Sequence, residues 1–309
     1  MTLSGPSIPI AMAEATDTRL LAIDELDLHL LAGSEFEAVA DSVGRLREAT
    51  YRQQLSGSGD ERDLDGRDAH YDHLLLVERR SGELAGAARL QFVPAGSTEL
   101  PSDRGSYLEH VYPGIKAQLA AGQNHLEIGR VALSERFQRQ PHSLMALFRG
   151  GILLAARSGY ELLHGLVSYN HFAHGDAVNA AFLKAMMRPP YRRLGDKLPA
   201  PRHPVSGIKP SDTPHPSGNI QALEQEIRRN HSDDFRLPVL LRQYFNLMEA
   251  KVCDLSLARD FNQITEILMA ANLSDLPPER LALFIDLPHQ PLYQQFSWYR
   301  GRECPLQRW

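Results

Sequence analysis

The sequence predicts an α/β (α+β) protein in which helices flank a central mixed sheet and a C-terminal extension follows. Two strand-like runs lie on either side of a hairpin turn, and a strand, a helix and a strand come after them in that order. The composition, with 43% hydrophobic and 23% charged residues among 309, is that of a globular protein. A chain of this length holds one large domain or one domain with a substantial extension.

The first elements along the chain are a leader, a strand and a helix. Residues 1–18 are rich in small residues and contain two prolines, which predicts a disordered leader. An apolar strand is expected at Leu20–Ile23. Apolar side chains then recur every three or four residues, which predicts an amphipathic helix that ends by Leu55. The buried face of this helix is expected to contain Phe36, Val39, Ala40, Val43, Leu46 and Thr50.

The hairpin is predicted from two runs of strand-forming residues, 73–78 and 84–92. Between them lies Arg79-Arg80-Ser81-Gly82, and the glycine tolerates the positive φ that a tight turn requires. The segment before the hairpin, 56–68, is polar, rich in glycine and serine, and without periodicity, which predicts a loop.

The strand–helix–strand unit is predicted at 125–133, 143–158 and 162–169. Gly159 is expected to end the helix as a left-handed C-cap. A unit of this kind places a ligand at the carboxyl edge of its first strand. That edge is Ala132 to Ser134.

The remainder of the chain divides into a connection and an extension. Residues 188–216 are rich in proline, and their first part, 188–203, carries five basic side chains against one acidic, a net charge of +4. We expect residues 217–309 to pack on a core formed by 19–187 rather than to fold alone.

Short elements are expected within the extension. Residues 237–249 predict a Pro-initiated amphipathic helix. The apolar runs 264–269 and 281–285 either add to the sheet or cover it.

Charge and cysteine content exclude several classes of protein. The net charge of −5 offers no general reason to bind nucleic acid, and no nucleic-acid partner is predicted. Cys253 and Cys304 are too few for a disulfide framework and fit a reducing cytoplasm. No run approaches the roughly 18 apolar residues of a membrane span. We therefore expect a cytoplasmic protein, with at most peripheral contact with the inner membrane.

An acidic cluster with two imidazoles lies at 65–73. If it is extended, Asp68, His70 and Asp72 share a face and suit a divalent ion. We predict no metal site, because alternate strand side chains reach a single ion poorly. Two interpretations stay open: aspartates that accept from turn N–H groups, and a carboxylate pair, Asp65 and Asp68, that holds the ammonium group of a cationic substrate.

Glu127 and Arg130 lie three residues apart on one predicted strand and therefore point to opposite faces. Both enter a single site only if the strand bulges, and Gly129 lowers the free-energy cost of a bulge. The alternative is a buried ion pair with Arg89 or Asp65. Residues 136–142 precede a helix start, where free N–H groups favour an anion such as pyrophosphate.

Several separated motifs resemble one family when they are taken in order. These are Asp65-x-x-Asp68-x-His70-x-Asp72-His73-Leu74-Leu75, Gly86-Ala87-Ala88-Arg89-Leu90 and Glu127-Ile128-Gly129-Arg130. Together they resemble the hemolysin-like branch of the GNAT acyltransferases, which contains the ornithine-lipid N-acyltransferases. The runs 237–244, 250–253 and 260–262 are similar to the second half of that family, so the resemblance spans about residues 20 to 285. The acidic and basic residues of these motifs, with Arg47, also resemble those of acyl-homoserine-lactone synthases and long-chain N-acyl amino acid synthases.

The resemblance implies a GNAT-like core at 19–187 and an N-acyltransferase activity. The enzyme would move a 3-hydroxy fatty acyl chain from acyl carrier protein to the α-amino group of ornithine, giving lyso-ornithine lipid. No bound cofactor is expected; the acyl-phosphopantetheine of the carrier protein is the co-substrate. The Gly-rich pyrophosphate loop of acetyl-CoA enzymes is missing from 139–143, which agrees with a donor that has a single phosphodiester.

Catalysis is predicted to depend on Glu127 and Arg130. Amide formation from a thioester needs a proton acceptor and a dipole aimed at the carbonyl oxygen. We expect Glu127 to accept the amine proton, and strand N–H groups near Val131 and Leu133 to polarise the thioester.

Substrate binding is predicted for four more side chains. Asp65 and Asp68 would hold ammonium groups, and Arg89 or Arg130 the acceptor carboxylate. Arg47 would bind the carboxylate or order the acidic loop. Apolar residues of the strands and of helix 143–158 would line a tunnel for the fatty chain.

Acyl carrier protein is acidic and requires a positive docking surface. The predicted docking residues are Arg136, Arg139, Arg188, Arg192 and Arg193. A solvated basic loop and a contact with anionic lipids are the alternatives for this patch.

The sequence leaves three alternative functions. An N-acyl amino acid synthase with glycine or an aromatic acceptor is the main one. A lactone synthase is disfavoured because 51–60 contains no Trp, which the loop of those enzymes is expected to carry. A membrane-active or purely binding protein is disfavoured because no segment is long and apolar enough to span a bilayer.

Overall fold

The computed structural model describes residues 18–195 and 197–285. The predicted leader, except for its last residue, lies outside them, as does the extension after 285 with its aromatic residues Phe296, Trp298, Tyr299 and Trp309.

Within the described residues, eight strands form one sheet in the order β1-β2-β3-β4-β5-β6-β8-β7. Their bounds are β1 (Arg19–Ile23), β2 (Leu26–Leu31), β3 (Asp72–Glu78), β4 (Leu84–Val93), β5 (His125–Leu133), β6 (Leu162–Tyr169), β7 (Lys251–Ala258) and β8 (Ile264–Asn272). All neighbours are antiparallel except β5 and β6, which are parallel. The predicted mixed sheet is confirmed.

Helices connect and cover the strands. Their bounds are α1 (Ala40–Gln53), α2 (Tyr107–Val111), α3 (Ile115–Ala120), α4 (Glu135–Gln138), α5 (Pro141–Ser158), α6 (Asp176–Met186), α7 (Ile220–Asn230), α8 (Val239–Met248) and α9 (Pro278–Ile285). Short 3-10 turns lie at Gly33–Ala38, Asp68–His70, His171–Ala173 and Leu273–Asp275.

The predicted hairpin and strand–helix–strand unit are confirmed as β3–β4 and β5–α5–β6. Gly159 ends α5 with φ 74°, as expected of a left-handed C-cap. The N-terminal helix starts later than its pattern predicted, because Phe36 lies in a 3-10 turn and α1 begins at Ala40. Val43, Leu46 and Thr50 are buried on the predicted face.

Seven of the described helices and strands were not predicted: β2, α2, α3, α4, α6, α7 and β7. Strand β2 alternates apolar and polar residues from Leu26 to Leu30, but its polar residues Asp27 and His29 are buried like their apolar neighbours. In β7 the register with β8 shifts between Val252 and Asp254, and this irregularity interrupts the two-residue period.

The helices lie on both faces of the sheet. On one face, α1 packs on β3 to β5 through Val43 and Leu46, and α2 and α3 pack on β6 and β8. The other face carries α5 and the helices that follow it. Because the main core contains residues from Leu21 to Ile285, the extension shares one core with the N-terminal part, and its strands β8 and β7 continue the sheet beyond β6.

Among the described residues, no helix is both long and apolar enough to cross a lipid bilayer.

Candidate active site

A cavity of about 440 Å³ lies where β5 and β6 separate. The two strands pair at only three positions, the last of which is Glu127 with His164. At the next residue, a Cβ on Gly165 would lie 2.8 Å from the carbonyl oxygen of Ile128, so only glycine lets the backbones approach this closely. Beyond this point the strands diverge and leave the cavity between them.

Strand β5 bulges at the cavity wall. Its register with β4 shifts between the pairs Ala87–Ala132 and Arg89–Gly129, so two residues of β5 oppose one of β4. The predicted bulge is confirmed, but Arg130, with φ 52°, takes the left-handed conformation rather than Gly129. As a result Arg130 and Glu127 both line the cavity.

A buried network of alternating arginines and aspartates lies behind this wall. The shortest contacts are Arg47 Nη1 to Asp68 Oδ1 at 2.8 Å, Arg89 Nη1 to Asp68 Oδ1 at 3.0 Å, Arg89 Nη1 to Asp65 Oδ1 at 3.2 Å, Arg130 Nη2 to Asp65 Oδ2 at 3.4 Å and Arg130 Nη1 to Asp63 Oδ1 at 2.7 Å. These six side chains, three guanidinium groups and three carboxylates, are neutral as a set, and Arg67 makes a longer contact of 3.8 Å with Asp65. Each aspartate is therefore already engaged by an arginine.

The aspartates predicted to hold ammonium groups serve this network. Burial raises the pKa of Asp68, but Arg47 and Arg89 outweigh burial and lower it overall. The carboxylates also accept from turn N–H groups, Asp65 from the N–H of Arg67 and Asp68 from that of Asp65. The turn interpretation agrees with these contacts. Of the alternative ion pairs, that of Arg130 with Asp65 is present, whereas Glu127 pairs with Lys116. Arg47, Asp65 and Asp68 do not line the cavity.

The extended arrangement on which a metal site depends is not found. Asp68 and His70 lie in a 3-10 turn, and Asp72 begins β3. In the part of the chain that the structure describes, no three His, Cys, Asp or Glu side chains are grouped in a way that could hold a metal ion.

Glu127 is buried and surrounded by donors. Its Oε1 accepts from the Tyr71 hydroxyl at 2.6 Å and the Leu108 N–H at 3.2 Å, and its Oε2 accepts from the Ser106 hydroxyl at 2.8 Å. Lys116 Nζ lies 2.6 Å from Oε2. Burial raises the pKa of Glu127, but Lys116 and the hydroxyl donors outweigh it and bring the pKa to about 2. A carboxylate in these surroundings binds a proton weakly, and the role of Glu127 as base stays a prediction.

Glu266 is the acidic residue of the cavity that the sequence did not single out. It lies on β8 opposite Ser168 of β6, is buried, and lines the cavity. Its Oε1 accepts from the Tyr107 hydroxyl at 2.9 Å, and its Oε2 has the Ser256 hydroxyl at 3.5 Å. The available signal was a carboxylate in the run Ile264–Ala271, in which Thr265 is the other polar residue, because a buried carboxylate requires a polar partner or a function.

The residues of β5 that line the cavity are Glu127 to Val131, together with Arg89 of β4. Leu133, predicted to bind substrate, pairs with Gly86 and lies outside the cavity. The sequence predicted a ligand at the edge formed by Ala132 to Ser134. The cavity instead lies at the middle of β5, because β5 and β6 separate already after Glu127.

A narrow apolar pocket of about 50 Å³ adjoins the polar cavity. It lies between the sheet and α5, where the sequence predicted a tunnel. Four residues line both spaces: Ile128, Val131, Gly165 and Tyr244. The rest of the lining includes Leu74, Leu90, Leu144, Phe148, Gly151, Met248 and Met269.

One of the predicted docking residues lies beside the cavity. Arg139 is exposed and follows Gln138, which lines the cavity. Arg136 lies on α4 outside the cavity lining, and its guanidinium pairs with Glu78 and Glu83, each at 2.7 Å.

The other three docking residues lie at the edge of the sheet. Arg192 forms a bridge with Val252 and Arg193 donates its N–H to the same residue, so β6, β8 and β7 separate them from β5. Arg188 donates to backbone carbonyls of the connection, and Arg192 pairs with Asp212 at 3.1 Å. None of the three lines the cavity.

Residues 46–148 match the profile of a family described as an acetyltransferase (GNAT) domain. The match contains the arginine and aspartate network and the whole of β5. With the mixed sheet and its diverging parallel strands, it defines the class of protein: an acyltransferase enzyme with a GNAT-like fold. The predicted resemblance is confirmed at this level.

Several solved structures are similar to this chain. FeeM, an N-acyl amino acid synthase from uncultured soil microbes, is 11% identical over 81% of this chain and 93% of its own, with a TM-score of 0.44. MesI, a CoA-dependent acyl-homoserine lactone synthase, is 11% identical over 85% and 97%, with a TM-score of 0.40. LasI, an acyl-homoserine lactone synthase, is 15% identical over 52% and 77%, with a TM-score of 0.33. No curated protein matched the sequence.

Proposed function

We propose that this acyltransferase moves a fatty acyl chain from the phosphopantetheine thioester of acyl carrier protein to the α-amino group of an amino acid. The observation that carries the proposal is the junction between the polar cavity and the apolar pocket, where Ile128, Val131, Gly165 and Tyr244 border both. A thioester carbonyl at this junction has an apolar space for its chain on one side and charged groups for the acceptor on the other.

The acceptor is an amino acid whose carboxylate contacts Arg130 and Arg89. Both arginines line the cavity, and Nη2 of Arg130 has only a long contact of 3.4 Å to Asp65, so it retains donor capacity. Ornithine is the acceptor that we propose first. The motifs at 65–75, 86–90 and 127–130 resemble those of ornithine-lipid N-acyltransferases, which supports this choice, and glycine and aromatic amino acids are the alternatives.

Carrier protein is the proposed donor because the site offers little to a pyrophosphate. Helix α5 begins with Pro141, which has no N–H to donate to an anion. One phosphodiester needs fewer donors, and exposed Arg139 and Arg236 lie at or beside the cavity lining.

The bulge of β5 provides the proposed dipole for the thioester. Two residues there, Arg130 and Val131, oppose one residue of β4, so backbone groups are left out of the ladder. We propose that an N–H of this segment donates to the carbonyl oxygen as negative charge develops on it.

Product analysis tests the proposal. Pure protein is incubated with carrier protein loaded with chains from butyryl to palmitoyl, with and without a 3-hydroxyl, and with ornithine, lysine, glycine or phenylalanine. We expect N-acylornithine by mass spectrometry, with release of one free thiol per amide. Absence of an amide with every amino acid contradicts the proposal, and product with glycine or phenylalanine alone replaces ornithine by that acceptor.

A variant of the apolar pocket provides a matched test of the chain site. A Cβ on Gly151 of α5 would lie 3.7 Å from Cδ1 of Ile128, so Gly151→Val narrows the pocket without a backbone clash. The preference of this variant should shift to shorter chains, with the acceptor preference unchanged. If Gly151→Val has the same chain-length preference as the wild type, the acyl chain binds outside this pocket.

A further inference from the structure

We propose that Glu266 is the group that accepts the proton of the attacking amine. This inference rests on the proposed function and names a catalytic residue for it. It starts from the fact that the cavity contains two buried carboxylates, Glu127 and Glu266, in opposite surroundings.

The two carboxylates differ in the capacity that they have left for substrate. An ionised carboxylate offers about four acceptor positions. Glu127 uses its capacity on Tyr71, Ser106, Leu108 and Lys116, all within 3.2 Å. A proton that moved to Glu127 would have to displace one of these donors.

Glu266 has one close donor and an oxygen with room for another. Its Oε1 accepts from Tyr107 at 2.9 Å, whereas the nearest donor to Oε2 is the Ser256 hydroxyl at 3.5 Å. Within the described residues, Glu266 makes no salt bridge. Its position on β8, beside the diverging end of β6, brings it to the cavity wall that Arg130 also lines. An amino acid held by its carboxylate at Arg130 therefore has a proton acceptor for its amine within the same cavity.

The groups that face Glu266 tune its affinity for protons. Burial raises the pKa of Glu266 to about 7, and the charge of Asp260 adds to this, whereas the hydrogen bond from Tyr107 and the charge of Arg130 lower it. Tyr112, whose pKa burial and nearby carboxylates raise, also lies near Glu266 and stays neutral. His110 stacks on Tyr107 and lies 3.3 Å from Asp260. A base is most effective when its pKa lies near the operating pH, and two carboxylates whose pKa values are driven apart serve different roles.

The proposed step balances without any further reactant. The ammonium group first loses a proton to solvent, and the lone pair of the neutral amine attacks the thioester carbonyl carbon. As the C–N bond forms, an N–H proton moves to Oε2 of Glu266. The C–S bond then breaks with its electron pair on sulfur, and Glu266 returns the proton to the thiolate. The products are an amide, a free thiol and the regenerated carboxylate.

The pH dependence of kcat/KM tests this assignment in the full-length enzyme. For the wild type, kcat/KM should rise with pH in two steps, the first at about pH 7 because Glu266 must be unprotonated, and the second at higher pH because the acceptor amine must also be unprotonated. Glu266→Gln should lower kcat/KM about a hundredfold or more with every acceptor, and should remove the first step but keep the second. Glu37→Gln, at an exposed position, is the matched control and should leave the profile unchanged.

Tyr107 is a positioning residue in this scheme, and its variant has a distinct signature. Tyr107→Phe removes the hydrogen bond that lowers the pKa of Glu266, so the first step of kcat/KM should move to higher pH. Infrared difference spectra of wild type and Glu266→Gln, recorded between roughly pH 5 and 9, should contain a carboxyl group that titrates with the same midpoint.

The outcomes separate this inference from the proposed function. If the wild type forms amides and Glu266→Gln retains the step of kcat/KM at about pH 7, the inference is overturned and the proposed function stands. A loss confined to ornithine and lysine also overturns it, because Glu266 would then bind a side-chain ammonium. A wild type that forms no amide removes the proposed function, and the inference with it.

Discussion

At the scale of single residues, the site depends on charges that are buried in pairs. Lys116 and Glu127 lie 2.6 Å apart and are both almost inaccessible to solvent. Removing one partner of such a pair leaves an uncompensated buried charge, which costs about 3–5 kcal/mol. Replacing both partners by apolar groups is far less costly.

The first prediction concerns the stability of Glu127→Gln. We expect the free energy of unfolding, measured with urea near neutral pH, to fall by about 3–5 kcal/mol because Lys116 loses its partner. Adding Lys116→Met to this variant should recover part of the loss. A double variant no more stable than Glu127→Gln would contradict this account.

The pKa of Glu127 also predicts a pH dependence of stability. Its pKa in the folded protein, about 2, lies below its ordinary value of 4.5, so the folded state binds the proton less readily than the unfolded state. The stabilisation by Glu127 is therefore complete above about pH 4.5 and is lost as the pH falls towards 2. Over this interval the stability of Glu127→Gln should fall less than that of the wild type.

Residue patterns identified most of the buried network but not its last member. Arg47, Asp65, Asp68 and Arg89 stand in recognisable motifs, whereas Asp63 is one of several acidic residues in a polar loop. Only the folded chain places Asp63 beside Arg130 at 2.7 Å, because the loop returns over α1 and the bulge turns Arg130 towards it. Sequence spacing contains no information on such a long-range contact.

At the scale of elements, the separation of β5 and β6 forms the cavity. Gly165 follows their last pair, and any side chain there would press against the carbonyl of Ile128. Strand β5 contributes the bulge, and β8 contributes Glu266 from beyond β6.

The second prediction concerns Gly165→Ala. Its Cβ would lie 2.8 Å from a backbone oxygen, so the strands must shift, at a cost of about 1–3 kcal/mol. We expect lower thermal stability and a lower kcat/KM, because the junction of the two cavities moves. Gly218→Ala, where nothing lies within 4 Å of the new Cβ, is the control and should behave as the wild type.

Turn and cap residues made some elements predictable where alternation did not. Helix α5 has clear periodicity and ends at Gly159, and Gly82 marks the turn of the β3–β4 hairpin, although both strands of the hairpin are buried along almost their whole length. Strand β2 alternates apolar and polar residues, but its polar residues Asp27 and His29 are buried as well, and β7 has an irregular register with β8. Burial of this kind depends on the layers that pack on the sheet, which no local pattern reports.

At the scale of the whole molecule, the net charge of −5 opposes the approach of an acidic carrier protein. If the donor is a carrier protein, as proposed, its docking depends on a local positive surface near the cavity. Arg139 meets this condition, whereas Arg188, Arg192 and Arg193 lie at the far edge of the sheet.

The third prediction concerns salt and the docking surface. The KM for acyl carrier protein should rise with ionic strength, because salt screens the attraction, while the KM for an acyl-pantetheine thioester should change little. Arg139→Glu should raise the KM for the carrier substrate and weaken its salt dependence. Arg188→Glu is the matched control and should have a smaller effect. Equal effects of the two variants would instead indicate that the carrier protein docks on the basic connection at 188–203.

From the order of its residues alone, this chain could be assigned a mixed α/β sheet, a bulge near Gly129, a set of charged residues in motif order and an acyltransferase class. These follow from local periodicity, turn chemistry and short motifs. The tertiary structure assigned those charges to a neutral internal network, moved the cavity from the edge of β5 to its middle, and brought Glu266 from β8 to the cavity wall. The physical reason is that ion pairing and burial depend on which distant segments pair, and here two strands of the C-terminal extension complete the sheet on which the cavity is built.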